Sequence, residues 1–213
     1  MQSEKQDRER LSGENRKAQI IDIALTIFAQ KGFAGTRTRE IAEAAGISET
    51  LIFQHFKTKD ALIRAALAKL FHAHPVSGEL VKQLKKTDDD AGFFRTLALH
   101  FIKHNREDPR IMKLAIFSSI EGGHFWELTR SDETEPLMIT LITDYIQKRI
   151  NEGVFVKTNA GIAARLFIDA VFMHIADKSV AITGPPLPFS DDKVVETLIE
   201  IFIGGLKKSK ARQ

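Results

Sequence analysis

The sequence predicts an all-α protein, and two observations support that prediction. Apolar residues recur at spacings of three and four, as in Ile20, Ala24 and Ile27, while few stretches alternate as a half-buried strand would. All six prolines lie after residue 74, so the first third can form helices without interruption, and the later prolines separate longer helices. With 213 residues, the chain is long enough to bury a sizeable core.

The composition excludes several classes of function. The sequence contains no cysteine, which excludes disulfide scaffolds, Cys-ligated metal sites and thiol catalysis, and which fits a reducing compartment. The net charge is +3, and this surplus lies within residues 1–74, where it permits an acidic partner without requiring one. A membrane-spanning helix needs about 20 largely uncharged residues. The most apolar segment, 160–182, does not meet this requirement because charges such as Arg165 and Asp169 interrupt it. We therefore expect a cytoplasmic protein with no membrane partner.

Start and stop signals define the helices of the first third. Gly32 would end the first helix in the left-handed conformation, and Gly46 would break the second. Thr36 and Thr38 supply hydroxyls for starting the second helix, and Ser48 and Thr58 can cap the starts of the third and fourth helices. The predicted helices cover residues 13–31, 38–45, 49–55, 59–73, 79–87, 91–106, 109–120, 134–152, 159–182 and 191–207.

The second and third of these helices form a helix-turn-helix pattern, since they are short and flank a glycine-containing turn. Any helical hairpin would show a similar apolar inner face, so the outer face of the third helix is more informative. It mixes hydrogen-bonding and apolar groups, whereas an ordinary solvated helix would be richer in Lys and Glu. The outward residues are Glu49, Thr50, Leu51, Phe53, Gln54 and His55. This mixture favours DNA binding over a plain helical hairpin.

These residue types suit particular parts of a DNA duplex. Gln54 can pair bidentately with adenine, and Thr50 or Leu51 can contact a thymine methyl group. Arg39, at the start of the second helix, can reach guanine. Contacts to phosphates set the register of a protein on DNA rather than its sequence preference. The residues suited to such contacts are Thr36, Thr38, His55, Lys57 and Lys59.

Three short motifs stand in order between Lys31 and Leu62: Gly-Phe followed by Thr, then Ile-Ala-x-x-Ala-Gly, and then His-Phe-x-x-Lys-x-x-Leu. In these motifs the chain resembles the DNA-binding domain of the TetR (tetracycline-repressor-like) transcriptional regulators, over about residues 14–74. The resemblance implies a flexible tail at 1–13 and a DNA-binding domain at 14–74, with its helix-turn-helix at about 37–56. Residues 75–213 would form a helical ligand-binding and dimerisation domain.

The resemblance also implies roles for individual residues. Base contacts would come from Arg39, Thr50, Leu51 and Gln54, helped by Glu49, and phosphate contacts from Thr38, His55 and Lys59. The family often has tyrosine where this chain has Phe53, so a phosphate hydrogen bond from that hydroxyl is absent. The full predicted DNA-binding set is Thr36, Thr38, Arg39, Ser48, Glu49, Thr50, Leu51, Phe53, Gln54, His55 and Lys59.

Two helices of the last third predict a homodimer. Their apolar residues cover more than one face, which indicates burial on two sides, one against the same subunit and one against a partner. A two-fold dimer would read a palindromic operator. A single large helical core is the alternative explanation of the same pattern. The predicted interface residues are Ile162, Leu166, Ala170, His174, Val194, Val195, Leu198, Ile199, Phe202 and Leu206.

The resemblance further implies a small-molecule pocket in the region after residue 75. Its aromatic content suggests an apolar or aromatic effector, although plain core packing would use the same residue types. The candidate lining residues are Phe94, His100, Phe101, His104, Met112, Ile116, Phe117, Trp126, Met138, Tyr145 and Phe172. We expect the fourth helix to connect this region to the DNA-binding domain, with Leu67 and Leu70 contacting the sensor.

Catalytic and metal motifs are missing from the sequence. His100 and His104 have the i, i+4 spacing that can chelate zinc, but no third ligand follows at a motif spacing. Glu121 and His124 form an acid–base grouping of a kind that arises freely, and no nucleophile elbow or phosphate-binding glycine loop is present. We therefore expect no enzyme activity, metal or cofactor. The predicted function is a repressor whose operator binding a small ligand relieves, and the alternative is a non-enzymatic helical protein-interaction module.

Overall fold

The computed structural model describes residues 12–73, 78–122, 137–180, 184–186 and 188–207. Within these ranges the chain is helical, and a single isolated antiparallel bridge joins Phe155 to Lys207. The all-α prediction is confirmed. The helices are α1 (Gly13–Lys31), α2 (Thr38–Ala45), α3 (Glu49–His55), α4 (Lys59–Ala73), α5 (Gly78–Lys86), α6 (Asp90–Glu107), α7 (Arg110–Ile120), α8 (Leu137–Asn151), α9 (Ala160–Val180) and α10 (Asp191–Leu206).

The predicted boundaries agree with these helices to within one residue wherever the structure describes both ends. The first four helices begin and end at the predicted residues. Predicted helical residues 134–136 and 181–182 lie outside the described ranges, as does the predicted tail at 1–13 except for its last two residues. Those two belong to α1: Ser12 caps it by accepting a 3.3 Å hydrogen bond from the N–H of Asn15, and Gly13 is its first residue.

Ser48 and Thr58 cap α3 and α4 as predicted, but neither Thr36 nor Thr38 caps α2, whose N-cap is Arg37, and the end of α1 also differs from the prediction. Ser48 Oγ accepts from the N–H of Leu51 at 3.2 Å, and Gly46 takes the left-handed conformation with φ 64° and ψ 35°. Gly32 has φ 74° but ψ 176°, a region open essentially only to glycine, instead of the left-handed cap that we expected. In this conformation the N–H of Phe33 donates its hydrogen bond to a side chain outside α1.

Helices α1 to α4 enclose one apolar cluster, the N-terminal core. Helix α1 packs against α2 and α4, and α3 packs against α2. Because inward residues on all four helices are removed from water, burial of apolar surface holds the helix-turn-helix in place. The buried residues from this region are Ile20, Ile21, Ala24, Leu25, Phe28, Ala29, Phe33, Ile41, Ala42, Ile52, Phe56, Leu62, Ile63, Ala66, Leu67 and Leu70.

Helix α7 lies outside residues 14–74 but completes the N-terminal core. Its residues Leu114 and Ala115 are buried there, and α7 packs along α1 on one side and against α9 on the other. Leu67 and Leu70, which we expected to carry the contact to the sensor, are buried in this same core. The structure therefore identifies α7, rather than α4 alone, as a helix that connects the two parts of the chain.

The remaining helices form a second cluster, the C-terminal core. Helix α9 packs along α8, α10 packs along α6, and α9 also contacts both α6 and α10. Phe172 of α9 packs against both cores, so the two clusters adjoin. The most deeply buried members of the C-terminal core are Phe93, Phe94, Leu97, Ala98, Ile142, Ile146, Phe155, Ala164, Phe167, Ala176 and Val195.

A buried ion pair ties α6 to α8. Asp90 is 4% exposed and accepts hydrogen bonds from Arg149 Nε at 2.7 Å and from the hydroxyl of Tyr145 at 2.9 Å. Burial, and then the bond to Asp90, raise the pKa of Tyr145, so its hydroxyl remains a donor. Lys207, at the end of α10, lies 3.4 Å from Asp90. Three helices thus meet at one carboxylate.

The predicted dimer residues divide between the surface and the interior. Ile162 and Leu166 are 61% and 62% exposed, Ala170 is exposed, and Val194, Leu198 and Phe202 are partly exposed. Val195, Ile199 and Leu206 are corrections, because the helical turn places them on another face of α10, where they are buried in the C-terminal core of their own subunit.

His174 is a further correction to the predicted dimer interface. Its Nε2 lies 3.0 Å from Oδ1 of Asp191, a buried carboxylate that also accepts from Arg106 and from Lys178. Burial and the charge of Lys178 lower the pKa of His174, while Asp177 opposes that shift. The imidazole therefore links α9 to α10 within one subunit.

Candidate nucleic-acid interface

The helix-turn-helix keeps its apolar residues on the inside. Ile41 and Ala42 of α2 and Ile52 of α3 are at most 3% exposed, and Phe56, just after α3, is also buried. Because a seven-residue helix with one inward face must turn its other positions outward, the polar residues of α3 are available to a partner. The turn from Gly46 to Ser48 sets the direction of that outward face.

The outward face of α3 has the composition that DNA reading requires. Thr50 and Gln54 are exposed, Phe53 is 44% exposed, and Leu51 and His55 are partly exposed. An amide, a hydroxyl and apolar groups are thus displayed together on one short helix. These groups match the donors, acceptors and methyl groups of base edges in a major groove.

Ser48 and Glu49 have internal roles at the start of α3. Ser48 is exposed, but its Oγ already accepts the capping bond from Leu51. Glu49 is partly buried and accepts a hydrogen bond from the hydroxyl of Thr38, across the turn. This bond joins the N-terminus of α2 to that of α3, so Thr38 and Glu49 stabilise the relative position of the two helices.

Arg39 is exposed at the start of α2 and pairs with a carboxylate on the same helix. Its Nε donates to Oε1 of Glu43 at 2.8 Å, and this hydrogen bond raises the pKa of the guanidinium. Both side chains are mostly in water, at 78% and 63% exposure. Exposed pairs one helical turn apart contribute little to stability. Arg39 can therefore exchange Glu43 for a base edge at small cost.

Thr36 does not fit its predicted role as a phosphate ligand. It is 1% exposed, and its hydroxyl donates to the carbonyl of Gly32 at 2.7 Å. A hydroxyl that is buried and already bonded to the preceding turn is not available to a phosphate. Thr36 instead stabilises the loop between α1 and α2.

Lys59, which was predicted to contact phosphate, donates a hydrogen bond within its own chain. Its Nζ donates to the carbonyl of Phe33, in the loop between α1 and α2. Burial lowers the pKa of Lys59, while the nearby carboxylates of Glu121 and Asp60 raise it. The ammonium is therefore directed toward the junction with α7.

Sequence reasoning named Glu121, the residue that follows α7, only as part of an acid–base grouping and missed its structural role. Its Oε2 accepts hydrogen bonds from the N–H groups of Phe33 and Ala34 at 3.1 and 3.2 Å. A Cβ atom at Gly32 would lie 2.0 Å from Oε1 of Glu121, so a side chain at this position would displace the carboxylate. Because 88 positions separate the partners, no local pattern in the sequence could have identified this contact.

The candidate ligand-pocket residues occupy different environments. Phe94, Met112 and Tyr145 are buried in the C-terminal core, and the ring of Tyr145 stacks on Phe93 at 3.7 Å, so packing explains these three. Phe117 is partly buried and lies beside the loop at Gly32. Trp126 lies outside the described residues. The other partly buried candidates are Phe101, Ile116, Met138 and Phe172, together with His100 and His104.

The structure also bears on the metal and membrane predictions. The rings of His100 and His104 lie 4.1 Å apart, centroid to centroid. Among the residues that the structure describes, no group of three or more histidine and acidic side chains could hold a metal ion. Over the same part of the chain, every helix is too short or too polar to cross a bilayer.

Comparison with known proteins agrees with the geometry of the helix-turn-helix. Residues 20–66 match the model for bacterial regulatory proteins of the tetR family. The chain is 26% identical over 195 residues to the HTH-type transcriptional regulator YvkB of Bacillus subtilis (strain 168), covering 88% of this chain and 95% of that protein. It is 25% identical over 212 residues to the HTH-type transcriptional repressor KstR2 of Mycolicibacterium smegmatis, covering 92% and 93%.

A solved structure extends the similarity to the whole fold. AibR, in complex with isovaleryl coenzyme A and operator DNA, superposes with a TM-score of 0.64 at 16% identity, covering 87% of this chain and 97% of its own. The matched helix-turn-helix model includes the exposed face of α3, and the superposition includes the helices that follow. Residues 20–66 are therefore a DNA-binding segment of the type found in bacterial regulatory proteins of the tetR family, and the relatives that match along most of the chain are HTH-type transcriptional regulators.

Proposed function

We propose that the chain is a non-enzymatic regulator of transcription that reads an operator with α3, acts as a dimer and releases DNA when a small apolar ligand binds. The observation that supports it most directly is the exposed face of α3, where Gln54, Thr50 and Phe53 stand together above an apolar inner face. We assign base reading to this face and to Arg39, and phosphate contacts to His55 and Lys57. Residues 14–74 are the proposed DNA-binding unit.

The decisive experiment measures specific binding to DNA from upstream of the protein's own coding region. The purified chain should retard one such fragment in the presence of excess unrelated competitor DNA. A protein-interaction module would bind all duplexes equally weakly, because it would have no base contacts that distinguish one sequence from another. Equal binding to every fragment would contradict the proposed function.

Gln54→Ala tests the base-reading role of α3. Losing a bidentate contact to adenine should cost about 1–3 kcal/mol of binding free energy per half-site and relax the base preference at one position. Because Gln54 is exposed, the variant should fold normally. The measurement is a competition titration against operators substituted at each position.

The matched control for this variant is Gln147→Ala. Gln147 is also exposed, but it lies on α8 and bonds Asn151 of the same helix at 2.9 Å, so operator affinity should not change. If Gln54→Ala left both affinity and base preference unchanged, α3 would not be reading bases in the manner proposed.

A stripe of exposed apolar side chains supports the proposed dimer. Ile162, Leu166 and Met173 lie along one face of α9, and Ile201 on α10 is 70% exposed. Two copies of this stripe could bury each other in a four-helix contact, as isologous dimers do. Two reading helices would then meet a palindromic operator at a fixed spacing.

Leu166→Glu tests the dimer. Placing a charge in the centre of a buried apolar interface should shift the chain toward monomer at micromolar concentration, as measured by sedimentation. Ile120→Glu is the control, because Ile120 is 78% exposed at the end of α7 and outside the stripe. A wild-type chain that sediments only as a monomer would contradict the dimer, as would a Leu166→Glu variant that remains dimeric.

The proposed effector site lies in the region after residue 75. The partly buried candidates Phe101, Ile116, Met138 and Phe172 border the C-terminal core and are apolar. The structural neighbour AibR was solved with isovaleryl coenzyme A as well as operator DNA, so one protein of this fold accommodates both. A ligand with different affinities for the two states shifts the operator equilibrium by typically about 1–3 kcal/mol. A thermal-shift screen of apolar metabolites, followed by operator titration, would identify it.

A further inference from the structure

The carboxylate of Glu121 connects the end of α7 to the loop that leads into α2. Its Oε2 accepts hydrogen bonds from the N–H groups of Phe33 and Ala34 at 3.1 and 3.2 Å. Two successive backbone N–H groups that converge on one oxygen form an anion-binding arrangement. Hydrogen bonds to an ionised carboxylate are about twice as strong as those between neutral groups. This Glu121 contact therefore joins a residue beyond position 74 firmly to the DNA-binding unit.

The loop that Glu121 holds is an integral part of the DNA-binding unit. Thr36 donates to the carbonyl of Gly32 at the start of this loop, and Lys59 of α4 donates to the carbonyl of Phe33. The loop continues into α2, whose first residue, Thr38, is bonded to the start of α3. Because the loop is tied to α2 and α4, a force on it acts on the whole unit rather than on a free segment.

Helix α7 contacts the DNA-binding unit at two separate places. Leu114 and Ala115 are buried in the N-terminal core, and Glu121 lies about 10 Å further along α7, at 1.5 Å per residue. Burial of apolar surface is non-directional, so the first contact alone permits rotation, whereas hydrogen bonds are strongly angle-dependent. The N–H of Glu121 donates to the carbonyl of Phe117 at 2.9 Å, which ties Glu121 to the last turn of α7. Together the two contacts fix the orientation of the unit on α7.

Hydrogen bonds, more than packing, hold the Glu121 end of α7. An open cavity of about 370 Å³ borders Glu121, Gly122 and Phe33, whereas Leu114 and Ala115 are fully enclosed. Helix α7 also packs on α9, which carries the exposed apolar stripe of the proposed dimer. Loss of the Glu121 contact would therefore let the DNA-binding unit turn relative to the helix that dimerises.

We propose that Glu121 is a positioning residue that makes the dimer selective for one distance between its two half-sites. This inference rests on the proposed function, since it needs two reading helices and a palindromic operator. One inserted base pair moves a half-site by about 3.4 Å and rotates it by about 35° around the duplex. A DNA-binding unit that is fixed on α7 does not follow this displacement, whereas a unit that can turn follows part of it.

Amide hydrogen exchange, measured by NMR without DNA, tests the contact itself. Glu121→Ala removes the acceptor and should speed exchange at Phe33 and Ala34 at least about tenfold. Glu121→Gln keeps an acceptor oxygen without the charge and should have a smaller effect. The amide of Leu25, inside α1, should exchange as in the wild type, which shows that the unit stays folded. Glu107→Ala, which removes an exposed carboxylate from α6, is the control for net charge and should change none of these rates.

Operator affinity as a function of half-site spacing tests the proposed role. The probes are duplexes made from the upstream fragment that the wild-type chain retards, with native spacing and with one base pair inserted or deleted at the centre. In Glu121→Ala the ratio of affinities for native over altered spacing should fall about tenfold, and in Glu121→Gln it should fall less. Glu107→Ala should keep the wild-type ratio. A residue that only stabilised the fold would weaken binding to all these duplexes equally and leave the ratio unchanged.

The two measurements together decide the inference. Unaltered exchange at Phe33 and Ala34 in Glu121→Ala would overturn it, because the contact would not be holding the loop. Faster exchange with an unchanged spacing ratio would also overturn it, as would an equal fall of the ratio in Glu107→Ala. Failure of the proposed function has a different signature. It would appear as a wild-type chain that prefers no upstream fragment over unrelated DNA, whatever the exchange rates, and the spacing role would fall with it.

Discussion

Replacing Phe94 with alanine is expected to lower the free energy of unfolding by about 3–5 kcal/mol. Phe94 is 0% exposed, and its ring lies 5.1 Å from that of Phe93, 4.9 Å from Phe167 and 5.1 Å from Phe202, centroid to centroid. Truncation would remove ring contacts to two other helices, α9 and α10, as well as to Phe93, and leave a cavity that these rings cannot fill without moving. Urea denaturation, followed by circular dichroism, gives the measurement.

The sequence is compatible with either core packing or ligand contact at Phe94, and this variant distinguishes between the two roles. Phe101→Ala is the control, because Phe101 lies on the same helix but is only partly buried, and it should cost clearly less. If Phe94 lined a cavity open to ligand, its truncation would instead cost little stability and alter the affinity for the effector. Equal and small losses for both variants would contradict the packing described here.

Asp90→Ala should cost about 3 kcal/mol of unfolding free energy. The substitution leaves Arg149, whose side chain is 10% exposed, without its buried carboxylate partner, and removes the acceptor of the Tyr145 hydroxyl. Breaking a buried ion pair from one side typically costs about 3–5 kcal/mol, because the remaining charge stays desolvated. We expect the lower end of that range because Glu152 still accepts from Arg149 at 2.7 Å.

Asp88→Ala is the matched control for the ion pair. Asp88 approaches the same guanidinium at 3.4 Å, but its side chain is 73% exposed, so its contribution should not exceed about 1 kcal/mol. A similar loss for both variants would show that burial does not distinguish the two carboxylates.

The elements of the DNA-binding unit were predictable because their signals are local. Gly46 and Ser48 lie within a few residues of the helix ends that they define, and an apolar repeat of three and four identifies a helix wherever it occurs. The outer face of α3 followed from the same periodicity. For these reasons the first four helices and the exposure of Thr50, Phe53 and Gln54 on α3 could be predicted from sequence alone.

Which partner covers each apolar face could not be predicted. Periodicity shows that a helix has an apolar side but does not show what packs on it, so α7 was assigned to the sensor although Leu114 and Ala115 complete the N-terminal core. For the same reason Val195 and Ile199 were predicted to lie in the dimer interface, although they are buried in the core of one subunit. Contacts of this kind depend on the tertiary fold.

Isolated polar side chains were the hardest to interpret. Glu121 appeared in the sequence only as one acid in a short loop, because its hydrogen bonds go to backbone groups of Phe33 and Ala34, which any residue type can supply. Thr36 matched a phosphate-binding pattern by residue type, but its hydroxyl faces the preceding turn. Residue type alone does not give the direction of a side chain.

The shared position of α7 sets a rule for building chimeras from this chain. A hybrid joined at residue 74, with a foreign sensor after that point, would lose Leu114 and Ala115 and expose the side of α1 that they cover. A transplantable reading module must therefore bring the matching surface of α7 with it, or be grafted onto a recipient whose equivalent helix has small and branched apolar residues at those positions. The two regions of this protein are not independent modules, because both pack against α7.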